Sequence, residues 1–136
     1  MILIDTSVII DVLNDNKNYK YSLFKKIIEQ KIAYGISIYT YVEILQGARN
    51  EKEFKLLETY LDSFKIYYLP NKKRIYKNAA KIYYDLRRKG KTIRSMIDIL
   101  IAETAVMNGL YLLHNDRDFD IMAEVITGLK IYNGEK

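Results

Sequence analysis

Short apolar runs separated by amphipathic segments extend along the whole chain, and they predict strands that alternate with helices. Five runs have the length of a strand: residues 1–4, 34–38, 66–69, 110–114 and 130–132. The fourth run, LYLLH, is apolar almost throughout, which is typical of a parallel strand covered on both faces. The chain therefore predicts a sheet whose strands are largely buried.

The segments between these runs carry apolar residues at helical spacing. They predict helices over residues 8–13, 23–31, 40–47, 54–64, 75–90, 95–108 and 121–125. Thr40 and Ser95 are each followed three residues later by an acid, Glu43 and Asp98, which is the spacing of a capping box at a helix N-terminus. We therefore expect helices to begin at both positions.

This alternation predicts an α/β fold in which a mostly parallel sheet carries helices on both faces. No internal repeat, low-complexity tract or linker interrupts the sequence, so we expect a single domain over residues 1–136. Ligands of such sheets bind outside the carboxyl ends of the strands, and a functional site is expected there.

Composition narrows the class of protein. The chain has no cysteine, which excludes disulfides and thiolate metal sites. No apolar run approaches the ~20 residues of a membrane-spanning helix, and the N-terminal stretch has no basic lead and carries an acid, unlike a signal peptide. We therefore expect a soluble cytoplasmic protein without a membrane partner.

The positive charge of the chain is concentrated in one segment, residues 71–94, which we call the basic stripe. It contains 10 of the 22 basic residues and one of the 17 acidic ones, so it carries +9 while the remainder carries −4. Two interpretations stay open. The stripe is either the charged face of a helix in water or a surface that contacts the phosphates of a nucleic acid.

Four acidic residues fall close to strand ends or helix starts. Asp5 and Asp116 follow the first and fourth strands, and Glu43 lies in the first turn of the helix after the second strand. Asp98 begins the helix that leads into the fourth strand. Its position at the carboxyl ends of the strands is therefore predicted less directly than that of the other three acids. Each acid also has a structural interpretation, because Glu43 and Asp98 fit capping boxes while Asp5 and Asp116 are common turn residues.

Convergence of these four carboxylates would create a site that calls for a cation. Helix N-termini favour the ionised form, but carboxylates a few ångströms apart repel one another. Because the chain has no cysteine and a single histidine, the ligands are oxygens, which favours Mg²⁺ or Mn²⁺ over zinc. Metal ions held by carboxylates beside a basic surface suit the hydrolysis of phosphodiesters.

Four motifs resemble, in order and spacing, those of the PIN-domain ribonucleases, and above all the VapC-type toxins of toxin–antitoxin pairs. They are IDTSVIIDVL at residues 4–13, YVEILQG at 41–47, SMIDILIAETA at 95–105 and LLHNDRDF at 112–119. The resemblance covers nearly the whole chain. It implies a three-layer α/β/α sandwich, a homodimer, Mg²⁺-dependent cleavage of RNA, and inhibition by a cognate antitoxin protein.

The resemblance also assigns roles to individual residues. It places the family's catalytic and metal-binding acids on Asp5, Glu43, Asp98 and Asp116, with Asp118 as a supporting residue outside the metal ligands.

The chain itself suggests further supporting residues. The hydroxyl of Thr6, beside Asp5, is expected to orient a metal ligand. His114, at a strand end, is expected to be structural rather than a proton donor. The predicted RNA-binding residues lie at the end of the basic stripe: Arg87, Arg88, Lys91 and Arg94.

Two other classes of protein compete with a metal-dependent ribonuclease. A non-catalytic PIN-fold RNA-binding or assembly subunit would keep the fold but would not need the full set of acids. A phosphotransfer domain, such as a receiver or a haloacid-dehalogenase-like phosphatase, needs a second acid beside Asp5 or two residues after it, where this chain has Thr6 and Ser7. The sequence therefore favours the nuclease.

Overall fold

The computed structural model describes residues 1–134, and all five predicted strands are present in it. The strands are β1 (Ile2–Ile4), β2 (Tyr34–Ser37), β3 (Lys65–Tyr67), β4 (Tyr111–Leu113) and β5 (Lys130–Ile131). The helices are α1 (Thr6–Leu13), α2 (Tyr19–Glu29), α3 (Ile38–Gln46), α4 (Glu51–Asp62), α5 (Lys73–Arg88), α6 (Met96–Met107) and α7 (Asp118–Ala123). Across the described residues, each helix is too short or too polar to cross a membrane.

The strands form one sheet in the order β3-β2-β1-β4-β5, and all their pairings are parallel. β1 lies at the centre, where Ile2 is in register with Tyr34 of β2 on one side and Tyr111 of β4 on the other. All three residues of β1 are apolar and buried, as a central strand with helices on both faces requires. The predicted parallel sheet is confirmed.

Helices cover both faces of the sheet, and each face has its own core. Leu3 points into a core formed with α5, α6 and α7, which includes Leu86 and Ile99. Ile2 and Ile4 point to the opposite face, into a core formed with α1 to α4. The alternation of side chains along β1 therefore joins two helical layers through the sheet, and the predicted α/β/α sandwich is confirmed.

Six of the seven helices in the described residues start two to four residues before the predicted positions, and two of these shifts bear on the site. The cap of α3 is Ser37, whose hydroxyl accepts a hydrogen bond from the N–H of Thr40 at 3.1 Å, so the predicted cap at Thr40 is wrong. Ser37 takes this role because it ends β2 with an extended backbone, the conformation that a cap residue needs. The last helix begins at Asp118 instead of residue 121, which brings this carboxylate into its first turn.

Candidate active site

Four side chains form an acidic pocket at the carboxyl end of the sheet: Asp5, Glu43, Asp98 and Asp116. Asp5 follows β1, and its N–H donates to the carbonyl of Leu113 at the end of β4 at 2.9 Å, which places the loop with Asp116 beside it. Glu43 comes from α3 and Asp98 from the first turn of α6. All four line one cavity of about 290 Å³. The structure thus brings the four predicted acids together.

Asp5 is the most buried member of the acidic pocket, with 3% of its surface exposed. Its Oδ2 accepts hydrogen bonds from the backbone N–H of Ser7 at 2.9 Å and from the Ser7 hydroxyl at 2.6 Å, while its buried Oδ1 has no hydrogen-bond partner among the described residues. Burial raises the pKa of this carboxyl to about 6, although the bonds from Ser7 oppose the shift. Asp5 therefore presents one oxygen that nothing in the described chain satisfies.

Thr6 connects Asp5 to the helix that carries Glu43. The Thr6 hydroxyl donates to Oε1 of Glu43 at 2.7 Å and lies 2.9 Å from the hydroxyl of Thr40. This arrangement fixes one oxygen of Glu43 and leaves its other oxygen for a ligand. The Thr6 hydroxyl thus contacts Glu43, although the sequence associated it with Asp5, and its role in orienting a metal ligand stays a prediction.

Asp98 faces the acidic pocket instead of completing a capping box. The hydroxyl of Ser95 caps α6 by accepting from the N–H of Ile97 at 3.1 Å, which leaves Asp98 outside the reciprocal capping arrangement. Partial burial and then the negative charges of Asp5 and Asp116 raise the pKa of Asp98 to about 7. A carboxyl in this environment gains from any cation that enters the pocket.

Asp98, Asp116 and Asp118 each offer an oxygen, and these oxygens all lie within 4.8 Å of one another. Asp118 is thus closer to the site than the supporting position expected for it. Oδ1 of Asp116 accepts the N–H of Asp118 at 3.0 Å, while Oδ2 forms an ion pair with Nη2 of Arg94. Arg94, expected to contact RNA, is therefore paired with the acids in this structure.

Ser7 and His114 hold the loop after β4, and the role of Ser7 is one that the sequence did not reveal. The hydroxyl of Ser7 accepts the N–H of Asn115 at 2.8 Å, and Nδ1 of His114 accepts the N–H of Asp116 at 3.1 Å. Burial lowers the pKa of His114, and this favours the neutral ring that the hydrogen bond to Nδ1 needs. The sequence did contain a signal for this role of Ser7. Asp5 and Ser7 are two residues apart at the start of a helix, which is the spacing at which a cap side chain meets the first turn.

The remaining predicted RNA-binding residues lie outside the cavity, on the exposed end of the basic stripe. Arg87 lies over the ring of Tyr83 at 5.6 Å, and Arg88 lies over the ring of Tyr84 at 5.7 Å. Lys91 approaches Glu124 at 3.8 Å. Arg94 alone among the four lines the cavity, so the stripe leads from the surface of α5 to the acidic pocket.

The side chains of the acidic pocket fit a hard divalent cation. Its donors are carboxylate oxygens, as Mg²⁺ and Mn²⁺ prefer, and the unpartnered Oδ1 of Asp5 is a buried acceptor in need of a positive partner. A cation would also offset the repulsion that raises the pKa of Asp98. Asp98, Asp116 and Asp118 have oxygens close enough together to hold one ion, and Asp5 and Glu43 line the same cavity.

A parallel α/β/α sandwich with an acidic pocket at the carboxyl ends of its strands defines the class of protein. The model of the PIN domain matches residues 2–125, and the chain belongs to the PIN-domain family. Within this family it is similar to Ribonuclease VapC1 of Methanocaldococcus jannaschii, with 32% identity over 133 residues that cover 97% of this chain and 87% of that protein. The resemblance seen in the sequence is confirmed.

Solved structures share the fold over the full chain. VapBC-1 from nontypeable Haemophilus influenzae matches with a TM-score of 0.74 at 22% identity and covers all of both chains. VapBC-5 from Mycobacterium tuberculosis, a member of the VapBC family of toxin–antitoxin systems, matches with a TM-score of 0.62 at 18% identity over 96% of both chains. At these identities the likeness concerns the fold.

Proposed function

We propose that this protein is a metal-dependent endoribonuclease that hydrolyses RNA phosphodiester bonds with Mg²⁺ or Mn²⁺ and acts as the toxin of a type II toxin–antitoxin system in the cytoplasm. The observation that carries the proposal is the convergence of Asp5, Glu43, Asp98 and Asp116 in one cavity, with Oδ1 of Asp5 left unsatisfied. The similarity to Ribonuclease VapC1 supports RNA as the substrate.

Each residue of the acidic pocket has a distinct part in this proposal. A bound divalent cation supplies a more acidic water and offsets charge on the phosphate. Asp5, Asp98 and Asp116 would hold the cation, and the two hydrogen bonds from Ser7 to Oδ2 of Asp5 leave its Oδ1 without a partner in the described residues. Thr6 holds one oxygen of Glu43, so its second oxygen would be available to bind the cation or to accept a proton from water.

The basic stripe supplies the RNA surface in this proposal. Arg87 and Arg88 are exposed and held by neighbouring tyrosine rings, so their guanidinium groups are positioned beside flat aromatic faces. Such surfaces bind phosphates and stack on unpaired bases. The path from α5 to Arg94 would bring an RNA strand over the acidic pocket.

A groove next to the acidic pocket, lined by both apolar and polar side chains, suits the antitoxin. It has a volume of about 620 Å³, is formed by α1, α3 and α4, and shares Ile10 and Glu43 with the pocket. Leu13 and Leu56 line it with 43% and 64% of their surface exposed. An antitoxin segment with apolar side chains would cover this groove and block access to the site.

We also propose that the protein forms a homodimer, and this proposal rests on the family resemblance alone.

The alternative, a non-catalytic PIN-fold RNA-binding or assembly subunit, has less support. A subunit that only binds RNA gains nothing from buried carboxylates, which cost folding free energy and repel phosphate. Asp5 and Asp98, with their raised pKa values, carry that cost here.

Replacing Asp98 with asparagine tests the proposed activity. We expect Asp98→Asn to reduce the rate of RNA cleavage in Mg²⁺ by at least ~100-fold, because the variant loses a metal ligand while keeping the shape of the side chain. Cleavage of a labelled RNA is measured, with the thermal midpoint of unfolding as the check on folding. Asp15→Asn, a change at an exposed residue that does not line the pocket, is the matched control. Equal cleavage by Asp98→Asn and the wild type would contradict the proposal.

A further inference from the structure

Arg94 is a cation that already occupies part of the acidic pocket. Its Nη2 pairs with Oδ2 of Asp116, and its Nε lies 3.6 Å from Oδ2 of Asp118. The carboxylates are largely covered, with 13% of each side chain exposed, whereas 74% of the Arg94 side chain is exposed. The guanidinium therefore reaches the acids from the solvent side of the pocket.

The hydrogen bonds of Asp116 leave little room for a second cation while Arg94 stays in place. Oδ1 of Asp116 accepts the N–H of Asp118 and Oδ2 is held by Arg94, so each oxygen of this carboxylate already has a partner. The same three acids, Asp98, Asp116 and Asp118, form the group whose oxygens lie closest together. Arg94 and a metal ion in this group would thus compete for the same carboxylates.

The backbone on both sides of Arg94 is held by contacts that do not involve its side chain. The carbonyl of the buried Ile93 accepts from the Tyr83 hydroxyl at 3.3 Å, and Ser95 begins α6 as its cap. The side chain can therefore leave the acids without moving the chain that carries it. An ion pair with one largely exposed partner is weak, because water screens it, and this makes the exchange feasible.

We propose that Arg94 is a movable counter-ion: it neutralises Asp116 and Asp118 until a divalent cation takes these carboxylates, and it then turns outwards to bind a phosphate of the RNA. A guanidinium suits both positions because its planar fork binds carboxylate and phosphate oxygens alike. This inference rests on the proposed metal-dependent nuclease activity and adds an order of events to it.

The test is Mn²⁺ binding, measured by titration calorimetry on the full-length wild type and on Arg94→Gln. We expect Arg94→Gln to bind Mn²⁺ about three- to tenfold more tightly, because the ion no longer displaces a charged competitor. At saturating Mn²⁺ the same variant should cleave RNA about tenfold more slowly, because a phosphate contact is lost. Arg94→Lys, which keeps the charge but loses the fork, should give a Mn²⁺ affinity between the two.

Arg117→Gln is the matched control, because Arg117 is the exposed neighbour of Asp116 and forms no ion pair with a carboxylate within residues 1–134. It removes the same charge close to the same acids, so a change in Mn²⁺ affinity as large as that of Arg94→Gln would overturn direct competition. Unchanged or weaker Mn²⁺ binding by folded Arg94→Gln would also overturn it. Undiminished cleavage would overturn the phosphate contact. Absence of Mn²⁺ binding by the wild type would instead refute the proposed function itself.

Discussion

Asp98 keeps its proton to a higher pH in the folded chain than in the unfolded one. Its pKa is about 7 in the structure, against 3.8 for a carboxyl in water, because it is partly buried and faces other carboxylates. Between these two values the folded chain holds a proton that the unfolded chain has released, so stability falls as the pH rises from about 4 through 7. Asp5, with a pKa of about 6, contributes in the same direction.

The effect of Asp98→Asn on stability should therefore depend on pH. In metal-free buffer we expect its thermal midpoint to exceed that of the wild type by little at pH 5, where Asp98 is protonated, and by about 3 °C at pH 8, where it is charged. This figure is small because solvent screens a partly exposed group. Differential scanning calorimetry across this range measures it.

The control for this prediction is Asp15→Asn, whose side chain is exposed and whose midpoint difference from the wild type should stay constant between pH 5 and 8. A difference for Asp98→Asn that is equally constant with pH would mean that Asp98 does not titrate in this range.

The start of α6 shows what a local pattern can predict and where it is ambiguous. Ser95 was expected as the cap and is the cap, because a hydroxyl before an apolar helix has few other roles. The direction of the Asp98 side chain could not be predicted, since the same spacing serves a capping box and a carboxylate that faces a ligand. The choice between these two roles of Asp98 depends on the loop after β4, which brings the negative charge of Asp116 close to it.

The end of α5 should bind RNA through charge. Reversing Arg87, Arg88 and Lys91 to glutamate is expected to weaken RNA binding and to flatten the slope of log affinity against log salt by about 2, because three phosphate contacts no longer release counterions. Fluorescence anisotropy with a labelled RNA at several salt concentrations measures both quantities.

The same reversal at three exposed lysines on α2 and α4, across the sheet, controls for net charge: Lys26, Lys52 and Lys55. If the two triple variants behave alike, the basic stripe is a solvated helix face and contributes only its overall charge.

At the scale of the molecule, the order of apolar runs was sufficient to predict the sandwich, because parallel strands need helical crossovers and the chain has helix-length segments between its strands. It also predicted the edge at which Asp5 and Asp116 meet. It could not predict that Arg94 pairs with Asp116, 22 residues away, since both lie in irregular segments whose path depends on packing. The partners of Ser7 and His114 were hidden for the same reason.

Mg²⁺ should stabilise the whole fold if the acidic pocket binds it. A ligand that binds only the folded chain adds stability in proportion to the logarithm of its concentration, so at pH 8 we expect 10 times the dissociation constant of Mg²⁺ to raise the thermal midpoint by about 5 °C. NaCl at equal ionic strength is the control for screening. A wild-type midpoint that responds equally to both salts would contradict metal binding in the pocket.

The pairing of β1 with β4 joins segments that are distant in the sequence, since Ile2 lies in register with Tyr111. During translation β1 must wait for this neighbour until residues 111–113 have emerged, because a domain assembles once its distant segments are available. A nascent or prematurely terminated chain that lacks residues beyond 110 therefore has no Asp116 to complete the cluster. Emergence of the fourth strand is thus the step at which the acidic pocket can first form.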